Sequence, residues 1–254
     1  MQRFIAPLVA AGLALGLTAG AFADSVNMSF NSAGDTAGWY KDRYAPQVFD
    51  SGVSGGGRSG VLQLGVRESG QSGNRGGSYD SDFYNYQGMK YDLGMEGHVR
   101  VSVDMFVDST WDDGSRAGMW TTMSNGNASF PIIEYVVGAT DMNAPSFTGF
   151  RFWQSGLGWS DTGVAVSQDT WNRLSIELDG SSVLFYLNGT HFSTVSSNGA
   201  HGVDNVILQA HNMGIAGEYD AYFDNLSAAV VPTPSAALGG LALMGLPLLR
   251  RRAN

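Results

Sequence analysis

The chain contains no cysteine, so a disulfide staple, a thiol nucleophile and a thiolate zinc site are all excluded. Basic residues are scarce: 14 Lys and Arg stand against 23 Asp and Glu, a formal net charge of −9. Four of the fourteen (Arg3, Arg250, Arg251, Arg252) fall in the terminal segments while every acid lies between them. The body therefore holds ten basic groups against 23 acidic ones, a net −13. A surface of that sign repels phosphate backbones and excludes nucleic acid as a partner; it suits cations or neutral partners such as glycans. No segment carries a sustained helical stripe, and no internal repeat, nucleophile elbow or phosphate loop is found. The histidines His98, His191, His201 and His211 show no metal-ligand spacing.

What is abundant is glycine, 35 residues, roughly twice average usage. It gathers with serine at Ser51 to Gly60 and Ser69 to Ser78, which read as long loops on a β scaffold. Around them, period-two alternation recurs. In Gly97 to Asp108, Val99, Val101, Val103, Met105 and Val107 point one way, and His98, Arg100, Ser102 and Asp104 point to the solvent face. Further strands are expected over Val61 to Glu68, Phe130 to Gly138, Phe147 to Gln154, Asn172 to Asp179, Val183 to Asn188, Val203 to Ala210 and Tyr219 to Ala228. Asp179-Gly180 and Asn188-Gly189 mark tight hairpins, because a type I′ turn needs positive φ at its central residues. Many short strands with Gly-rich turns make an all-β fold, an antiparallel β-sandwich of jelly-roll type.

The stretch D-T-W-N-R-L-S-I-E-L-D-G-S-S-V-L-F-Y-L-N-G-T-H-F-S-T, Asp169 to Thr194, resembles the hairpin of concanavalin A-like, laminin-G-like sandwiches. The closing strand Tyr219 to Leu226 resembles the last strand of many exported sandwiches of this kind. A galactose-binding-like jelly roll fits the first and last strands as well. The resemblance implies one domain over residues 24–229, of a class that includes sugar-binding modules and glycoside hydrolases.

Two segments lie outside that body. Residues 1–23 have a positive start at Arg3, an apolar run from Phe4 to Gly20 and the small-x-small site Ala21-Phe22-Ala23, the organisation of a secretory signal peptide removed by signal peptidase. Residues 230–254 hold Pro232 and Pro234, an apolar run from Ala236 to Leu249, and Arg250, Arg251 and Arg252. The run is about 21 Å long as a helix, against a hydrocarbon core of about 30 Å, and the arginines resist translocation. This tail resembles the PEP-CTERM sorting signal, with Thr233 in place of the family's central glutamate. That resemblance implies transient anchoring in the inner membrane as a hydrophobic helix, cutting by an exosortase-type membrane protease, and release to the cell surface or extracellular matrix.

Retaining glycoside hydrolysis needs two carboxyl groups about 5–5.5 Å apart, and the E-x-D-x-x-E strand of laminarinase-type enzymes is absent. On Pro131 to Val137 only Glu134 is acidic, and Asp141 lies seven residues on, beyond Gly138. Glu134 shares a strand face with Ile132 and Val136, a poor setting for an unpaired charge, so Arg151 is its expected partner. Arg151 and Trp153 share one face of their strand, and Trp159 follows across a glycine turn. Glu134, Arg151, Trp153 and Trp159 thus form a candidate sugar platform, indoles stacking on a pyranose while charged groups take its hydroxyls. No cofactor is expected; a structural calcium has candidates in Asp112, Asp220 and Asp224. The resulting expectation is an exported β-sandwich that binds polysaccharide without catalysis. A carbohydrate-active enzyme (hydrolase or lyase) on the same fold and a purely structural matrix protein are the alternatives.

Overall fold

The computed structural model describes residues 25–70, 74, 86–124, 130–142, 146–212 and 217–231. The expected signal peptide, the prolines Pro232 and Pro234, the apolar tail and the three terminal arginines lie outside the described residues. No helix of the described residues is long and apolar enough to cross a membrane.

Fifteen strands follow in chain order among the described residues. The first six are β1 (Ser25–Met28), β2 (Tyr40–Lys41), β3 (Val48–Gly55), β4 (Arg58–Val66), β5 (Gln87–Glu96) and β6 (Val99–Val107). Then come β7 (Ser115–Met123), β8 (Ile132–Ala139), β9 (Phe147–Gln154), β10 (Gly158–Asp161) and β11 (Thr170–Asp179). The last four are β12 (Ser182–Leu187), β13 (Thr190–Ser196), β14 (Gly202–Asn212) and β15 (Tyr219–Val230). They form two antiparallel sheets, one of eight strands in the order β13-β12-β11-β6-β15-β4-β3 with β1 beside β15, the other of seven in the order β10-β9-β8-β7-β14-β5-β2.

The core lies between the sheets, and the alternation of β6 accounts for it. Val99, Val101, Val103, Met105 and Val107 are fully buried and pack in one cluster with Met119, Ile133 and Phe150 of the opposite sheet. A sheet with one face packed in this way alternates apolar-in and polar-out. The hairpin signals sit where expected: Asn188 and Gly189 have φ of 53° and 79° and join Leu187 to its partner Thr190.

Two expectations are corrected. Ser51 to Gly60 is not a loop: it supplies the end of β3 and the start of β4, joined at Gly56 and Gly57. Glycine is present there because rings lie across the backbone. A Cβ on Gly55 would stand 2.3 Å from the Tyr222 ring, and one on Gly56 would stand 2.6 Å from that of Phe106. Ser102, placed on the solvent face, is 5% exposed; it lies on a central strand between its register partners Ser175 and Ser227.

Candidate active site

The outer face of the seven-stranded sheet carries two adjacent cross-strand rows of different chemistry. One runs through Trp159, Trp153, Ile132, Trp120, Ile207, Lys90 and Tyr40, each the register partner of the next. Trp120, Ile132 and Ile207 form with Tyr86 a small apolar cluster of their own, against which Trp153 and Trp159 pack. The second row runs through Asp161, Arg151, Glu134, Gly118, Gln209 and Gly88. Alternation explains why both rows face outward, since their strand neighbours Ile133, Phe152 and Leu208 face the core.

The centre of the second row is a buried polar cluster. Glu134 is 1% exposed and Arg151 0%. Arg151 Nε donates to Glu134 Oε1 at 2.8 Å, with Nη2 2.7 Å from the same oxygen, while Nη1 binds Asp141 Oδ1. Gln209 Nε2 donates to the other oxygen, Glu134 Oε2. That contact spans β7, because Gly118, the register partner of both residues, puts no side chain between them. Arg116 Nη1 lies 3.9 Å from Glu134 Oε1 and from Asp141 Oδ2. Burial pushes the Arg116 guanidinium below its ordinary range, and the nearby Glu134 works in the opposite direction.

Arg116 and His211 are register partners at the far side of the cluster, and Tyr219 of the other sheet fixes their backbones. Its hydroxyl accepts from the amides of Arg116 (3.2 Å) and His211 (2.9 Å). It lies 2.7 Å from both of their carbonyl oxygens, one of which takes its proton. Burial raises the Tyr219 hydroxyl well above the usual tyrosine range.

The four predicted platform residues are adjacent, with an uneven exposure. Trp153 and Trp159 are half-buried and pack edge to face at 5.3 Å; the Arg151 guanidinium lies 4.0 Å from the centre of the Trp159 ring. Glu134 pairs with Arg151, and a second carboxylate joins them. Asp141 reaches Arg151 because the chain bulges between Val136 and Ala139, where Gly138 has φ 63°. Its side chain is 34% exposed, making it the accessible acid of the pair. Alternation had hidden Asp141, which lies beyond the strand, whereas Gln209 and His211 could have been found by extending the outward phase of β14 from Ile207.

The calcium candidates lie apart. Asp220 pairs with Arg67 at 2.8 Å, Asp224 pairs with Arg58 at 2.8 Å, and Asp112 is exposed in the turn before β7. Among the described residues no three His, Asp or Glu side chains are grouped to hold a metal ion.

No family model matches the sequence, and no curated protein matches it. Solved structures do match in fold. The cellulose induced protein Cip1 is similar over 82% of this chain and 98% of its own, with TM-score 0.56 and 10% identity. A protein described among endo-acting O-glycanases that initiate mucin breakdown, from members of the human gut microbiota, is similar over 82% of this chain and 99% of its own, with TM-score 0.52 and 14% identity. A sialidase is similar over 80% of this chain, which spans only 18% of the sialidase, with TM-score 0.52 and 12% identity. The body therefore shares the two-sheet β-sandwich fold of these structures. The expectation of a non-enzyme is corrected by the same neighbours, which include a protein described among endo-acting O-glycanases. It rested on the absence of a second carboxylate from one strand, and Asp141 arrives from outside that strand.

Proposed function

We propose that the protein is a carbohydrate-active enzyme that cleaves or transfers glycosidic bonds on the outer face of its seven-stranded sheet. The observation that carries this reading is the convergence of two carboxylates, Glu134 and Asp141, on the guanidinium of Arg151, beside the Trp153–Trp159 pair. Retaining glycosyl transfer needs one carboxylate against the developing positive charge at the anomeric carbon and a second carboxyl group to protonate the leaving oxygen. Glu134, sealed beneath the surface by Arg151 and Gln209, supplies the first without touching the sugar, as a positioning residue whose charge acts through the cluster. Asp141, open to solvent, takes the second, and receives the proton back from the incoming water or sugar hydroxyl. The indoles give the sugar an apolar face to rest on.

Release of reducing ends from a panel of neutral and mucin-type polysaccharides tests this. Activity in the unaltered chain that is lost in Asp141→Asn, with melting unchanged, is the expected result. Asn keeps the size of the half-exposed side chain, so folding survives. A product with an unsaturated sugar end, seen by ultraviolet absorbance, marks the protein as a lyase instead, and equal activity in the Asp141→Asn chain removes the two-carboxylate reading. The proposal includes export: the organisation of residues 1–23 and 230–254 supports secretion with transient anchoring by the tail, placing the enzyme where polysaccharides are.

A further inference from the structure

A cavity of about 280 Å³ opens at one edge of the sandwich, between the β9–β10 hairpin of one sheet and the β12–β13 hairpin of the other. Its floor is apolar, with Val183 and Phe185 fully buried behind it. Trp153 forms part of the wall, and Gln154 and Ser155 bring an amide and a hydroxyl. No Asp, Glu, Lys, Arg or His occurs among its described lining residues. Leu157, which also lines it, is 79% exposed, the most exposed large apolar side chain among the described residues.

We propose that this pocket is a second carbohydrate site, separate from the Glu134–Arg151 centre, that binds one neutral sugar ring without reacting with it. Size and chemistry select that ligand. The volume equals about nine water molecules at about 30 Å³ each, room for a single ring rather than a stretch of chain. A lining without charge leaves a phosphate, a carboxylate or an amine unpaired on entry, at a desolvation penalty. A purely apolar ligand would displace water from the amide and hydroxyl without replacing its hydrogen bonds. A pyranose matches both parts, its C–H face against Trp153 and its hydroxyls toward Gln154 and Ser155. The exposed Leu157 is then the side chain that closes over the ring. Trp153 belongs to both places, so the pocket continues the outer-face row at its end and takes a branch or a terminal unit of the same polymer.

The inference shares its ligand class with the proposed function, and the test separates the two. Ligand-observed NMR is run with D-glucose, D-galactose, N-acetyl-D-glucosamine and, as an apolar control, 1-octanol, against the unaltered full chain, Ser155→Trp and Leu157→Ser. At least one sugar is expected to bind the unaltered chain, with affinity about tenfold weaker in Ser155→Trp, which fills the opening, and about threefold weaker in Leu157→Ser. Both residues are exposed, so melting temperatures stay within the spread of surface substitutions; if Ser155→Trp does not fold, Leu157→Ser carries the comparison. Sugar binding that is equal in all three chains, or saturation by octanol with no sugar bound, overturns the pocket. Polysaccharide cleavage measured on the same samples is expected to persist in both variants. Its absence from all three, with ring binding lost only in the variants, removes the proposed reaction and leaves the pocket standing.

Discussion

Gly118→Ala is the sharpest perturbation that the candidate site allows, because one methyl group strikes both its packing and its hydrogen bonding. A Cβ built on Gly118 lies 2.2 Å from the Ile133 carbonyl oxygen, 2.5 Å from Glu134 Cβ and 2.6 Å from Glu134 Cα. Two of the three are backbone atoms of β8, so relief requires the strand itself to retreat by about 1 Å to reach ordinary contact. Overpacking of this kind costs about 1–3 kcal/mol. The same methyl obstructs the bridge from Gln209 to Glu134 across β7, and leaving a buried amide and carboxylate without each other costs about 1–3 kcal/mol more. The sum is about 4 kcal/mol, which lowers the melting temperature by about 8–16 °C in a domain of this size.

Calorimetric or circular-dichroism melting of the full chain reads the loss, and a double-mutant cycle identifies its source. Gln209→Ala removes the bridge without the clash and should cost about 2 kcal/mol. Because the bridge is lost only once, the double variant should cost about 4 rather than about 6 kcal/mol. A fall of under about 4 °C for Gly118→Ala would refute the close approach of β7 and β8. Strict additivity with Gln209→Ala would refute the bridge.

Three further outcomes are expected. Tyr40 is pushed up to about 12 by its hydrogen bond to Asp92, and Tyr86, Tyr135, Tyr219 and Tyr222 are raised chiefly by burial. A raised folded pKa gives stability that is whole below the unfolded value of about 10 and lost above it, so denaturant midpoints should fall as pH climbs past about 10 while native absorbance shows these five still protonated; a flat midpoint to pH 12 contradicts this. Replacing Glu134, Arg116, Arg151 and Gln209 together with Leu, Met, Met and Leu should keep stability within about 2 kcal/mol and abolish cleavage, whereas Glu134→Leu alone should cost about 3–5 kcal/mol by stranding buried guanidinium groups; equal melting of the single and quadruple variants contradicts the ion pair. In cells, changing Arg250, Arg251 and Arg252 to Ser should disturb retention and processing, read by fractionation and mass of the tail; unchanged location and mass end the sorting proposal.

The sandwich was legible where burial is one-sided and side chains are large. β6 alternates over its whole length, and the β11–β12–β13 meander is punctuated by Asp179-Gly180 and Asn188-Gly189. It was illegible where glycine replaces the signal. β3 and the start of β4 read as loop because the rings of Tyr222 and Phe106 occupy the space that side chains would fill. β7 was overlooked for a related reason: S-R-A-G-M-W-T-T-M mixes small and polar residues, since its outward face must admit Gln209 past Gly118. The Glu134–Arg151 pair followed from a local argument, a charge on a face with Ile132 and Val136 needing a partner. Asp141 did not, because its approach depends on a bulge whose geometry no periodicity encodes.

The contrast between the two outer faces argues that the buried cluster is there for chemistry. On the eight-stranded sheet buried acids also occur, but their cations stay near solvent: Arg58 bridges Asp104 and Asp224, Arg173 reaches Asp104 at 3.0 Å, and Arg100 pairs with the buried Glu177, each guanidinium side chain being at least one-third exposed. On the seven-stranded sheet, Glu134, Arg116, Arg151 and His211 are all sealed from water. Buried ion pairs are often no better for stability than well-packed apolar residues of the same volume. These very strands show the apolar solution one pair along, where Trp153, Ile132, Trp120 and Ile207 cover the same face. A sequence able to continue that apolar row instead places a carboxylate, two guanidinium groups, an amide and an imidazole beside it, with Asp141 as the acid nearest to solvent. Stability alone does not select that exchange; under the proposed function, the cluster serves to polarise and protonate a sugar beside the aromatic surface.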